Sequence, residues 1–144
     1  MTAAAAYAED CVFCAIRAGR GPATVVLDAP EALVVMDVAP SAPGQLVLMP
    51  DGGEQGVAEA ARLLPRCVRA LEAAGFAERA VHAVVRWDLE HPDHPHPVIT
   101  VVPGPHGLRP NPLGGYVTRA RLEEDARLIV RAFGADGAPV SPPG

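Results

Sequence analysis

Apolar positions fall into two kinds of pattern along this chain. Residues 24–28 and 32–37 are short runs rich in Val and Leu, parted by a turn at Ala29-Pro30, and together they predict an antiparallel pair of strands. A third run, 45–49, follows the turn Pro40-Ser41-Ala42-Pro43-Gly44. From Val57 the spacing changes to that of a helix, with Ala60, Ala61, Leu64, Val68 and Leu71 on one face up to about Ala74. Pro65 must kink that helix or start a new one, and Gly75 marks its end. Residues 79–87 and the β-branched run 98–102 read as strands, and Leu122, Ala126, Ile129 and Phe133 recur at helical spacing in a closing helix. Before the first strand, residues 12–18 have room for one or two helical turns ahead of Gly19. Segment 88–97 is a Pro/His/Asp loop, and 103–115 holds four prolines and four glycines, a long loop of the kind that often carries function. There are no internal repeats. Strands mostly adjacent in sequence, with one central and one C-terminal helix, predict an α+β fold: an antiparallel sheet of about five strands with helices packed on one face.

Composition narrows the possibilities. At 144 residues the chain holds one domain, expected over residues 9–133 between a disordered start (1–8) and a disordered tail (134–144). Aromatics are scarce, so the core must be built from Val, Leu, Ile and Ala, with Phe13, Phe76, Trp87 and Phe133 as bulky fillers. A thin core favours oligomerisation. A net charge of −5 without a Lys/Arg cluster argues against nucleic acid as a partner. No apolar run approaches the roughly 20 residues of a membrane span, and residues 1–8 lack the basic start and apolar centre of a leader, so a cytoplasmic protein is expected. Three cysteines do not make a disulfide framework. Cys67 sits among Leu64, Val68 and Leu71 and reads as a buried inert thiol. Cys11 and Cys14, two residues apart, suggest a metal or redox site.

The stretch Cys11-Val-Phe-Cys14-x-Ile16-x-x-Gly19-x-x-Pro22, then Asp28, then Val35-Met-Asp37-Val-x-Pro40-x-Ala42-Pro43-Gly44-x-Leu46-Val47-x-Met49-Pro50 resembles the N-terminal half of histidine triad (HIT) proteins, in order over about 40 residues. The strand ending in Pro103 and the closing helix fit that family more loosely. The resemblance implies a HIT-like antiparallel sheet joined to a second copy across a dimer, and a cleft that binds nucleotides or transfers nucleotidyl groups. Asp37 aligns with the acidic residue that accepts hydrogen bonds from ribose hydroxyls, a role a carboxylate suits because it accepts two donors. An ordinary Asp ending a strand is the alternative. Phe13 and Ile16 match apolar residues lining the family's base pocket, and either fits equally well as core.

The active strand departs from the family. The pattern is His-x-His-x-His followed three residues later by Pro, the middle histidine attacking phosphorus. Registered on Pro103, the three positions here are His96, Val98 and Thr100. Valine has no lone pair, so it can neither attack nor move a proton. Glu90-His91-Pro92-Asp93 stands where the family has a small polar segment, and a carboxylate beside a phosphate is repulsive without a cation or proton between them. Nucleotidyl hydrolysis by the usual route is therefore not expected.

The resemblance also implies zinc. Relatives with the N-terminal Cys-x-x-Cys hold it through those thiolates, the first triad histidine, and a histidine three residues after the proline of the third strand. Three positions map to Cys11, Cys14 and His96, whereas the fourth is Gly53. Zinc takes its donors in a tetrahedron, so the gap is left to another side chain (His91, His94, Asp51 or Glu54), to water, or to nothing. With water in the fourth place the ion becomes a Lewis acid, and His91 and His94 become candidates for proton transfer, hence for catalytic residues.

Three functions compete. The first is a zinc-containing enzyme acting on a small-molecule substrate in the HIT cleft through His91 and His94, and the concentration of titratable residues at the active strand favours it narrowly. The second is a non-catalytic protein that binds a nucleoside or nucleotide through Asp37. The third is a dimerisation module stabilised by zinc. A homodimer is expected, because the thin core and the sheet-joining interface that the resemblance implies both favour burying an edge.

Overall fold

The computed structural model describes residues 15–16, 18–19, 23–87, 97–104 and 117–134. Within them the expected α+β architecture is present. Strands β1 (Val25–Asp28), β2 (Ala32–Met36), β3 (Leu46–Pro50), β4 (Val81–Arg86) and β5 (Val98–Pro103) form one five-stranded sheet in the order β1-β2-β3-β5-β4, every neighbour antiparallel. Helices α1 (Val57–Ala61), α2 (Leu64–Ala73) and α3 (Arg119–Gly134) supply the second layer.

The hairpin between β1 and β2 closes through Pro30-Glu31, with Ala29 and Ala32 exchanging both backbone hydrogen bonds at 3.1 and 3.2 Å. In β1 the pairing shifts by one residue between Val25 and Leu27, a bulge that lets Val26 and Leu27 both enter the core. The β2–β3 turn depends on Gly44, whose φ of +83° is strained for other residues and whose Cβ would lie 2.6 Å from the Phe76 ring. After β3 a single 3-10 turn, Gly53–Gly56, leads into α1. Gly56 leaves no room there, since a Cβ would fall 1.8 Å from the Asp51 carbonyl oxygen. The central helix comes in two pieces parted at Arg62 and Leu63, and Pro65 sits in the first turn of the second, where its missing N–H costs nothing.

One face of the sheet, carrying Ala32, Val34, Met36, Leu46, Leu48, Ile99 and Val101, packs against Leu63, Cys67, Leu71, Leu122, Ile129 and Phe133 of the helices. Phe133 is fully buried, with the Arg66 guanidinium 5.4 Å above its ring, a favourable stacking of cation on aromatic face. Cys67 lies in this core, and desolvation pushes its thiol up to about 12, so it stays protonated and inert as the sequence suggested. Trp87 departs from its expected place as a core filler. It follows β4, an edge strand, and is 44% exposed. No described helix is long and apolar enough to cross a membrane. The boundaries expected at residues 8 and 9, and the tail beyond 134, lie outside the described residues.

Candidate functional site

Strand alternation decides which side chains can meet on the face away from the helices. Ile99 and Val101 point into the helix-side core, so Val98, Thr100 and Val102 point the other way. Cross-strand pairing then sets out that face row by row. Val25, Val35, Val47, Thr100 and Val84 form a row across all five strands, with Thr100 as its one hydroxyl. Leu33 pairs with Met49, and Val98 with Arg86. Val98, 5% exposed, belongs to a small apolar cluster with Val35 and Met49, against which Ile16 packs. Apart from Thr100, the face is therefore apolar at its middle.

Asp37 lies just beyond β2, and its backbone N–H donates to the Gln45 carbonyl at 3.0 Å, continuing the hairpin by one residue. Its Oδ1 accepts the Ala39 N–H at 2.9 Å and its Oδ2 accepts Gln45 Nε2 at 2.7 Å. Gln45 is buried, and its Oε1 accepts the Ser41 N–H at 2.9 Å. Both ends of one amide thus hold the turn and the carboxylate. Two further contacts secure this corner: Val117 N–H donates to the Val38 carbonyl at 2.9 Å, and Arg119 Nη1 donates to Oγ1 of the buried Thr24. At the opposite edge, His82 pairs with Val102 and its Nδ1–H donates to the Gly104 carbonyl at 3.0 Å.

Of the candidate residues, the structure brings Ile16 onto the face that carries Val98, and it holds Asp37 at the end of β2. Ile16 is half-buried and packs against the apolar cluster there. Gly53, at the fourth zinc position, opens the 3-10 turn between exposed Asp51 and Glu54. Phe13, Cys11, Cys14, His91, His94 and His96 lie outside the described residues. Among the described residues no three His, Cys, Asp or Glu side chains form a group that could hold a metal. Sequence reasoning missed Gln45, which read only as the start of a strand. The available signal was a polar side chain opening an apolar strand, eight residues after an Asp and across a tight turn, where hairpin pairing sets the two opposite each other.

No family model matches the sequence, and no curated protein matches it. Solved structures do. A Hit-like protein involved in cell-cycle regulation from Bartonella henselae, crystallised with an unknown ligand, has a TM-score of 0.69 and 18% identity over 88% of this chain and 98% of that one. A Zn-bound histidine triad family protein from Mycobacterium smegmatis has a TM-score of 0.67 and 26% identity over 90% of this chain and 98% of that one. A hypothetical histidine triad nucleotide-binding protein from Sulfolobus tokodaii strain 7 has a TM-score of 0.69 and 15% identity over 87% of this chain and 93% of that one.

Proposed function

We propose that this chain, whose fold is that of histidine triad proteins, binds a nucleoside or nucleotide without the covalent histidine chemistry of those proteins. The observation that carries this reading is the Asp37 carboxylate. It is fixed at both oxygens at the end of β2, while the active strand presents Val98 and Thr100 on the face away from the helices. A carboxylate offers about four acceptor sites, and Ala39 and Gln45 take two, so capacity remains for a sugar diol. The description of the Sulfolobus tokodaii neighbour as nucleotide-binding agrees with this reading. Calorimetry with adenosine and AMP tests it. Saturable binding that Asp37→Ala weakens on the order of 10-fold or more is the expected result, matching the loss of hydrogen bonds to a charged acceptor. Binding indifferent to Asp37→Ala would defeat the reading.

A second reading, a zinc-containing enzyme in which His91 and His94 move protons, draws support from the Zn-bound Mycobacterium smegmatis neighbour. Cys11, Cys14 and His96 would hold the ion, and Gly53 has no side chain to offer as a fourth donor. Zinc there would supply a Lewis acid if water completed its shell. Elemental analysis of protein purified without chelator should find near-stoichiometric zinc, reduced by Cys11→Ser. Metal-free protein would remove this reading.

We also propose a homodimer. Among the described residues no strand pairs with the outer side of β4, and the exposed Val85 and Trp87 stand on and just after it. Light scattering at tens of micromolar should give twice the chain mass, and Val85→Lys should give the monomer.

A further inference from the structure

Gln45 is 2% exposed, and a leucine of similar size would fill that space without needing partners. An amide buried there is favourable only because both of its ends are used. Oε1 takes the Ser41 N–H at 2.9 Å, which fixes the orientation of the amide and leaves Nε2 as the donor, 2.7 Å from Asp37 Oδ2. The turn that delivers Gln45 is itself fixed by Gly44 beneath Phe76 and by the Gln45 N–H on the Ala42 carbonyl at 3.3 Å. Asp37 Oδ1 is anchored separately by the Ala39 N–H at 2.9 Å. With one donor on each oxygen, the carboxylate cannot rotate without breaking both bonds. Each oxygen also keeps acceptor capacity of its own.

We propose that Gln45 is a positioning residue which locks the Asp37 carboxylate as a two-point acceptor, making the site selective for a vicinal diol over a sugar that lacks one of the two hydroxyls. The inference rests on the reading of Asp37 as the ligand-binding carboxylate. It adds the residue that sets the selectivity between a ribonucleoside and a deoxyribonucleoside. A carboxylate free to turn could follow a single hydroxyl, whereas a locked one leaves an oxygen without its donor when a hydroxyl is missing.

The test is a set of dissociation constants for adenosine and 2′-deoxyadenosine with the natural chain, Gln45→Leu, Gln45→His and Asp37→Ala. The natural chain should prefer adenosine on the order of 10-fold. Gln45→Leu should reduce that preference to about 2-fold or less, chiefly by weakening adenosine. Gln45→His should restore much of it, because a neutral imidazole carries one acceptor and one donor, as the amide does. Equal weakening of both nucleosides in Gln45→Leu, with the ratio preserved, would show a purely structural residue and overturn the proposal. No preference in the natural chain would overturn it too. If Asp37→Ala abolishes binding while the ratio survives in Gln45→Leu, only the positioning role falls. If Asp37→Ala changes nothing, or neither nucleoside binds, the reading of Asp37 falls and takes the inference with it. Should Gln45→Leu fail to fold, the Gln45 side-chain amide resonance of the natural chain decides. A shift on adenosine and none on 2′-deoxyadenosine supports the lock, and an equal response to both overturns it.

Discussion

Phe133→Ala should destabilise the protein by about 3–5 kcal/mol, the usual loss when a buried phenylalanine leaves a cavity. Native domains are stable by only about 5–15 kcal/mol, so the variant stands near the limit of folding at ordinary temperature. The size of the effect follows from position. Phe133 is fully buried in the last turn of α3 and joins that helix to the layer formed with α2 and the sheet. The scarcity of other aromatic residues leaves nothing of similar bulk to move into the space. Urea unfolding should show a lower midpoint at unchanged slope. Leu128→Ala, on the exposed side of the same helix, should change stability by less than about 0.5 kcal/mol. Equal effects from the two substitutions would mean that α3 does not pack through Phe133.

The strands and helices were legible because each carries its own period. Residues 122, 126, 129 and 133 mark the buried side of α3, and all four are buried in the core. The third run, 45–49, is likewise a strand, with Leu46 and Leu48 in the core against the helices. Strand order was not legible, since nothing in the run 79–87 says that it lies at an edge with β5 between it and β3. In retrospect Val98-Ile-Thr-Val-Val-Pro103 carried a hint. A short run almost wholly apolar marks a strand covered on both faces, and all six residues are buried. Trp87 was misplaced by the same gap, because a large apolar side chain reads as core until the strand before it proves to be an edge. At the candidate site, the resemblance to a known pattern pointed to Asp37 as a candidate. Gln45 was not legible, because its role depends on two hydrogen bonds that exist only once the turn has closed.

Adenosine phosphoramidate and dinucleoside polyphosphates should survive incubation with this protein at the uncatalysed rate. On the register proposed from Pro103, the attacking position is Val98, and covalent catalysis needs a donor atom there. Its surroundings fit an apolar residue: Val98 packs with Val35 and Met49, beneath Ile16, rather than among polar groups that would orient a nucleophile. Val98→His should therefore fail to create the activity. The apolar cluster around that position offers no polar group to orient the new ring. The neighbour two residues on, across the same face, is Thr100, a hydroxyl that does not act as a base at neutral pH. The measurement is release of ammonia from adenosine phosphoramidate by the natural chain and by Val98→His, at equal concentration and with the zinc content of each sample recorded. Turnover well above background in the natural chain would overturn the register. Turnover in Val98→His alone would show that the cleft still holds every other part that hydrolysis needs, and that this single side chain withholds it.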